Sequence, residues 1–304
     1  MKKVAYITDD SYLKHDTGVM HPESPQRLIA INNAIKPLLS KLILVSPIEV
    51  STSLIELVHP LEYIKNIEHM SAHGGSIDAD TICSVDSYEA AAMAVGAGVV
   101  ALDGIKAGEF ERAFCAVRPP GHHATPTQAM GFCLFNNIAI AARYAQSISY
   151  EKVMILDFDV HHGNGTQDTF WQDDTVFYFS SHQAFAYPGT GAETHRGEGR
   201  GEGYTANFLM MPESTDAELL DIYENDLPPL IEKFEPDIIL VSAGYDLHES
   251  DPLASLNITT EGIQKMVRCI LESSDVPYVF FLEGGYDVDA LGKNVRVTLE
   301  EMLR

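Results

Sequence analysis

The chain has 304 residues, 45% of them hydrophobic, with 20 basic against 44 acidic side chains for a formal net charge of −24. That length supports one large core or two modest ones, and the acid surface disfavours phosphate backbones as partners while attracting cations. Direct nucleic-acid binding is therefore not expected. The N-terminal Met-Lys-Lys-Val-Ala-Tyr-Ile-Thr-Asp-Asp reads as a strand followed by acid, not as a signal peptide. No apolar window is expected to reach the roughly 18 residues of a membrane span. The cysteines, Cys83, Cys115, Cys133 and Cys269, are scattered through mostly apolar patterns, as reduced buried thiols are. We therefore expect a cytoplasmic protein with no membrane partner. Without a repeat, a low-complexity segment or a Pro/Gly/Ser linker, residues 1–304 read as one domain.

In chain order, the predicted strands are Val4–Thr8, Leu42–Val45, Ala113–Val117, Val153–Asp157, Val176–Phe179, Ile238–Ser242 and Tyr278–Leu282. Between them, helical patterns run over Pro25–Leu38, Thr52–His59, Tyr88–Ala107, Asn137–Ser147, Ala217–Phe234, Thr260–Leu271 and Asp287–Leu303. Ser87 and Thr215 are expected to cap two of these. Short, almost wholly apolar strands alternating with helices predict a three-layer α/β/α fold around a mostly parallel sheet.

Polar motifs follow five of the strands directly. Ala113–Val117 runs into Arg118-Pro-Pro-Gly-His122-His123, and Val153–Asp157 into Phe-Asp159-Val-His161-His-Gly-Asn164-Gly. Val176–Phe179 precedes Ser180-Ser181-His182, Ile238–Ser242 precedes Ala-Gly-Tyr-Asp246, and Tyr278–Leu282 precedes Glu283-Gly-Gly-Tyr286. In a parallel sheet these motifs share one rim, where open α/β sheets bind ligands. In an extended backbone Asp159 and His161 point the same way and can grip one ion. Carboxylate plus imidazole suits zinc or another divalent transition metal better than magnesium or calcium. Asp246, after an apolar strand and a close-packing glycine, is the natural third ligand. His122 and His123 suit proton transfer, with Asp157 and Asn164 as acceptors that orient their rings. Carboxylate backing should make its imidazole the more basic of the two. Tyr286, raised on two glycines, can donate its phenol to a developing oxyanion.

Taken together, Arg118–Ala124, Gly131-Phe-Cys-Leu-Phe-Asn-Asn137, Asp157–Gln167, Pro188-Gly-Thr-Gly191, Ser242–Asp246 with Asp251-Pro-Leu253, and Glu283–Tyr286 resemble the zinc-dependent histone deacetylase and acetylpolyamine amidohydrolase family. His21-Pro-Glu-Ser-Pro-Gln-Arg27 belongs to the same pattern, so the resemblance spans nearly the whole chain. It implies an arginase/deacetylase-like fold and hydrolysis of an acetamide to a free amine and acetate. It also implies one Zn2+ on Asp159, His161 and Asp246, with His122 and His123 serving the water and the leaving amine, and Tyr286 polarising the acetyl carbonyl.

The same resemblance implies a narrow acyl-lysine tunnel walled by Gly131, Phe132 and Tyr187, the last often Phe in the family. Asp80 resembles a rim acid that holds substrate backbone amides, and the resemblance implies that Arg27, buried by its motif, lines an internal acetate exit. Structural K+ is implied at Asp157, Asp159, His161, Ser180 and Ser181, with a second set at Phe170, Asp173, Val176 and Tyr204. Asn164 and Leu282-Glu-Gly-Gly-Tyr286 look like the class II branch. An apolar Leu253, where acetylpolyamine-selective members can carry an acid, weakens that substrate, whereas the negative charge favours it. The expected activity is deacetylation of acetyl-lysine or an acetylated small amine. An arginase-like dimetal hydrolase and a catalytically silent acyl-lysine reader rank below it.

Overall fold

A computed structural model describes residues 2–304. Its strands are β1 (Val4–Ile7), β2 (Ile43–Val45), β3 (Gly75–Ser76), β4 (Ile82–Cys83), β5 (Arg112–Cys115), β6 (Val153–Asp157), β7 (Val176–Gln183), β8 (Thr205–Met210), β9 (Ile238–Ala243) and β10 (Tyr278–Leu282). All but β3 and β4 form one eight-stranded sheet in the order β2-β1-β5-β10-β9-β6-β7-β8. Every pairing within it is parallel, so all the strands deliver their C-terminal ends to one rim. β3 and β4 make a separate antiparallel hairpin. The seven predicted strands are all present. β8 and the hairpin were not expected: Thr205-Ala-Asn-Phe-Leu-Met210 lies on the sheet edge and is only half-buried, so it lacks the apolar run of its neighbours.

The helices are α1 (Gln26–Ala34), α2 (Thr52–Ile55), α3 (Leu61–His73), α4 (Ser87–Lys106), α5 (Asn137–Ser147), α6 (Asn164–Phe170), α7 (Asp216–Asp221), α8 (Leu227–Phe234), α9 (Thr260–Glu272) and α10 (Val288–Met302). They cover both faces of the sheet. The Phe281 ring of β10 packs against Gly98 of α4, whereas Tyr278, on the opposite face by strand alternation, donates its hydroxyl to Ile270 O of α9 at 2.8 Å. α4 and α5 pack together on one side, and α1, α10 and α9 pack in succession on the other. The α/β/α layering is therefore observed, and β6, β9 and β10 are buried along their whole length, with β5 beside them buried from Ala113 on.

Several boundaries differ from expectation. α1 stops at Ala34, and a 3-10 turn over Lys36–Lys41 follows with Pro37 at its start. The helix expected over Thr52–His59 is only one turn, and α3 and α6 were not foreseen. Ala217–Phe234 is interrupted by a wide π turn at Ile222–Asp226 just before Pro228 and Pro229, which have no N–H to bond backwards. Ser87 does not cap α4 but is its first residue, behind Asp86. Thr215 does cap α7, in a capping box with Glu218. Contrary to expectation, α4 is 20 residues long and apolar enough to cross a membrane by length and composition, yet 72% of its apolar window is buried inside the protein. Its Ala and Gly residues allow close packing: a Cβ on Gly96 would lie 1.8 Å from Ile48 O.

Candidate active site

β6 ends level with Ser180 of β7 and Ser242 of β9, its partners in register with Asp157. Beyond it, the chain folds back over the rim and places Asp159 and His161 against Asp246. One donor atom from each lies within 4.8 Å of the others, and all three residues are buried. His161 presents Nδ1, 3.2 Å from Asp159 Oδ1 and 3.1 Å from Asp246 Oδ2. Backbone amides fix both carboxylates: Gly284 N donates to Asp159 Oδ2 at 2.7 Å, and Val160 N donates to Asp246 Oδ1 at 3.0 Å. This closeness needs glycine. A Cβ at Gly284 would fall 2.1 Å from Asp246 Oδ2, and one at Gly244 would fall 2.0 Å from Asp159 Oδ2.

Two buried carboxylates facing one imidazole are short of positive charge, and the titration directions reflect that imbalance. Burial, then the Asp159 charge, pushes the Asp246 carboxyl up to about 7. For His161 burial is outweighed by its bonds to Asp159 and Asp246, which raise its pKa well above the ordinary value. The O,N,O donor set, pre-oriented and closed on one side by backbone, fits a divalent cation with borderline ligand preference.

His122 and His123 face this triad with ring centroids 4.0 Å apart. The His122 Nδ1 donates to Asp157 Oδ2 at 3.1 Å, a carboxylate also held by the Tyr178 hydroxyl at 3.0 Å. Its Nε2 lies 3.9 Å from Asp159 Oδ1. The His123 Nδ1 lies 2.9 Å from Asn164 Oδ1, so with that nitrogen donating, Nε2 is left as an acceptor. Burial opposes charge on both rings. At His122 the carboxylates of Asp157, Asp159 and Glu283 overcome it and push the pKa up to about 10, while at His123 the adjacent His122 and His161 add to it and hold the pKa well below the ordinary value. The expected pairing of Asp157 and Asn164 with the two imidazoles is thus present.

Tyr286 completes the wall. Its ring meets Phe132 edge-on at 5.8 Å, and the Arg27 guanidinium lies 5.2 Å over it. Burial, then the charges of Asp246 and Asp159, keeps its phenol protonated by raising the pKa well above the ordinary value. Asp251 fixes the loop by accepting from Tyr286 N at 2.6 Å. The Arg27 guanidinium is buried and fully engaged. It donates to Gly285 O at 2.7 Å, to Glu283 O and to Glu23 Oε1 at 3.2 Å, and so braces the Tyr286 loop. Glu23 in turn accepts from Arg118 at 2.5 and 2.8 Å, which places an ion cluster wholly inside the protein.

Gly131, Phe132 and Tyr187 lie toward the mouth. Gly131 (φ +55) abuts the His123 ring, where a Cβ would come within 2.4 Å. The half-exposed Tyr187 ring stands edge-on to His123 at 5.1 Å and to His161 at 6.3 Å. Asp80 and Leu253 are on the surface rather than in the buried site; the Asp80 carbonyl accepts from His21, whose ring packs on Phe132 at 4.7 Å. Of the residues matched to K+, Asp157 and Ser180 are register partners at the rim, but the Ser181 hydroxyl turns away to Tyr223 at 2.8 Å. Val176 opens β7 at the opposite end from the rim. Near it, Phe170 O already accepts from Asp173 N and Tyr204 O from Tyr178 N.

Sequence reasoning missed four supports. Tyr178 steadies Asp157 from mid-strand and carries no local signal. Glu283 accepts from the amides of Gly121 at 2.7 Å and His122 at 3.1 Å, which aims the histidine pair. Glu283, like Asp251 and Arg118, sits inside a recognised motif, and a charge expected to be buried was the available clue.

The histone deacetylase domain family matches residues 21–302. A probable deacetylase of Archaeoglobus fulgidus is 37% identical over 291 residues, covering 93% of this chain and 81% of that protein. Histone deacetylase 10, chloroplastic, of Oryza sativa subsp. japonica is 38% identical over 308 residues, covering 93% and 70%. The crystal structure of the HDA15 HD domain superposes with a TM-score of 0.96 at 32% identity, covering all of this chain and 90% of that one. By sequence and by fold, this chain belongs to the histone deacetylase family.

Proposed function

We propose that this deacetylase is zinc-dependent and hydrolyses the N-acetyl amide of acetyl-lysine or of an acetylated small amine to the free amine and acetate. The observation that carries the reading is the convergence of Asp159, His161 and Asp246 opposite the paired rings of His122 and His123. Zinc held by those ligands would polarise the acetyl carbonyl and acidify a water molecule. The protein's own groups supply the rest. His123, backed by a neutral amide, offers an unprotonated Nε2 to accept the water proton. His122, backed by the Asp157 carboxylate, favours the cationic form and stabilises negative charge on the reacting carbon's oxygens. Tyr286 donates its phenol to the same developing oxyanion. The amine departs only after protonation, and the proton taken up by His123 is the one at hand. Gly131, Phe132 and Tyr187 would flank the acyl-lysine methylenes, with Asp80 and Leu253 at the mouth. Backbone carbonyls near Asp157 and Ser180 would hold a structural K+, and a cytoplasmic location accords with the free thiols.

An arginase-like dimetal centre finds less support, because Asp159, His161 and Asp246 are the only ligand-like group of three among the described residues. The test is amine release from an acetyl-lysine reporter by zinc-loaded protein. Asp246→Ala should abolish it and Tyr286→Phe should lower kcat by about 10² to 10³. Absence of hydrolysis on any acetamide would refute the proposal.

A further inference from the structure

We propose that His69 and His73, in the last turns of α3, form a second metal site, separate from the active site, that takes a late divalent transition ion such as Cu2+ or Ni2+. The inference goes beyond the deacetylase reading and does not depend on it. Of the twelve histidines only these two are exposed, the rest being buried or half-buried, and the two stand side by side with ring centroids 4.3 Å apart. α3 buries Tyr63, Ile64, Ile67 and Ser71 against the protein. Residues 69 and 73 fall on the opposite face, where the exposed Glu62 and Asn66 continue the stripe. Two imidazoles at i and i+4 on one helix face chelate a transition metal, in the spacing that zinc-binding helices use.

The second of these rings is already set for coordination. His73 Nδ1 lies 2.8 Å from the His69 carbonyl oxygen, which can only accept, so Nδ1 carries the hydrogen and Nε2 keeps its lone pair. A backbone carbonyl behind the ring is the support that metal-ligating histidines generally have. Among the described residues no protein group bonds the His69 ring nitrogens or His73 Nε2, so an incoming ion displaces only water. Imidazole donors select copper, nickel and zinc over magnesium and calcium, with copper held tightest. Two further features favour a cation here. His73 is the last residue of α3, where the unpaired carbonyls carry negative partial charge, and the net charge of −24 raises the local cation concentration. Bridging one turn, the ion would also brace the end of α3 before the chain enters the β3–β4 hairpin.

The experiment titrates Cu2+ and Ni2+ separately into untagged, zinc-loaded protein by isothermal calorimetry, and records electron paramagnetic resonance of the copper form. Wild type is compared with His69→Gln, His73→Gln and Asp246→Ala. We expect one added ion per chain in wild type, an affinity at least about tenfold lower in either glutamine variant, where the chelate is reduced to a single imidazole, and no such loss in Asp246→Ala. The copper spectrum should show coupling to two nitrogens in wild type and to one in each glutamine variant. No added ion, or an affinity unchanged by both glutamine substitutions, would overturn the proposal. So would a wild-type copper spectrum with one coupled nitrogen, as expected of copper that had displaced zinc onto Asp159, His161 and Asp246. Both glutamine substitutions lie on the surface, so circular dichroism should match wild type. No readout involves turnover: a protein that hydrolyses no acetamide yet binds copper through both rings would sink the deacetylase reading and uphold this site, and an active deacetylase without the added ion would do the reverse.

Discussion

Replacing Gly284 with alanine tests how tightly the backbone closes on the proposed metal ligands Asp159 and Asp246. Its N–H holds Asp159 Oδ2 at 2.7 Å, and the added Cβ would stand 2.1 Å from Asp246 Oδ2 and 2.6 Å from Asp159 Oδ2. Ordinary Cβ contacts do not fall below 3.0 Å, so at least one carboxylate must retreat by most of an ångström. Metal–ligand distances tolerate displacements of only about 0.2 Å. Gly284 is not among the positive-φ glycines, so crowding rather than backbone strain sets the effect. We expect Gly284→Ala to weaken zinc binding and lower kcat/KM by about a hundredfold or more, the scale of an ångström misplacement in a catalytic constellation. The assay is zinc competition against a chromophoric chelator alongside deacetylation kinetics, with circular dichroism to establish folding. Gly108→Ala, at positive φ with nothing within 4 Å, controls for a general cost of glycine replacement. Zinc affinity and kcat/KM within about threefold of wild type would refute the reasoning.

Asn164→Ala should lower kcat by about 10- to 100-fold with little change in KM, because the His123 ring loses the partner that orients it; steady-state kinetics on an acetyl-lysine peptide checks this, and a change in KM alone would contradict it. Glu23→Gln leaves the buried guanidinium groups of Arg27 and Arg118 without their counter-charge and should destabilise the fold by roughly 3–5 kcal/mol, read as the loss in denaturant unfolding. Burial pushes the pKa of His15, His59 and His182 down to about 4 in the folded state, against 6.5 for an ordinary ring. The unfolded chain therefore binds more protons between those values, so stability is full above about pH 6.5 and falls on acidification toward pH 4, by up to roughly 3 kcal/mol per ring. Thermal unfolding across this range should show a falling Tm, and a flat or rising Tm would count against buried neutral rings.

The legible parts of the fold were those governed by the simplest physics. Val153–Asp157 and Tyr278–Leu282 are buried on both faces and so read as apolar runs whose ends could be placed to the residue. The motifs after them fell on one rim because parallel strands leave no other arrangement. β8 escaped because an edge strand buries less and admits Asn207. α6 escaped because Asn164-Gly-Thr-Gln167 is polar yet buried, held by tertiary bonds such as Asn207 Nδ2 to Gln167 at 2.8 Å rather than by periodicity. α3 did carry a signal, with Tyr63, Ile64, Ile67 and Ser71 buried at helical spacing. At the site, the convergence of Asp159, His161 and Asp246 and the pairing of His122 with Asp157 and of His123 with Asn164 were readable from the motifs at the strand ends. The contacts of Arg27 were not, because which acceptors a buried guanidinium meets depends on loops more than 250 residues away in sequence.

The central claim is that one metal ion seated by Asp159, His161 and Asp246 is required for acetamide hydrolysis. Metal analysis of purified protein, paired with acetate release from an acetyl-lysine peptide before chelation, after chelation and after zinc is restored, tests it most directly. The account predicts one zinc per chain, loss of both metal and turnover on chelation, recovery of both on adding zinc, and neither in Asp246→Ala. Undiminished acetate release from metal-stripped protein would contradict it.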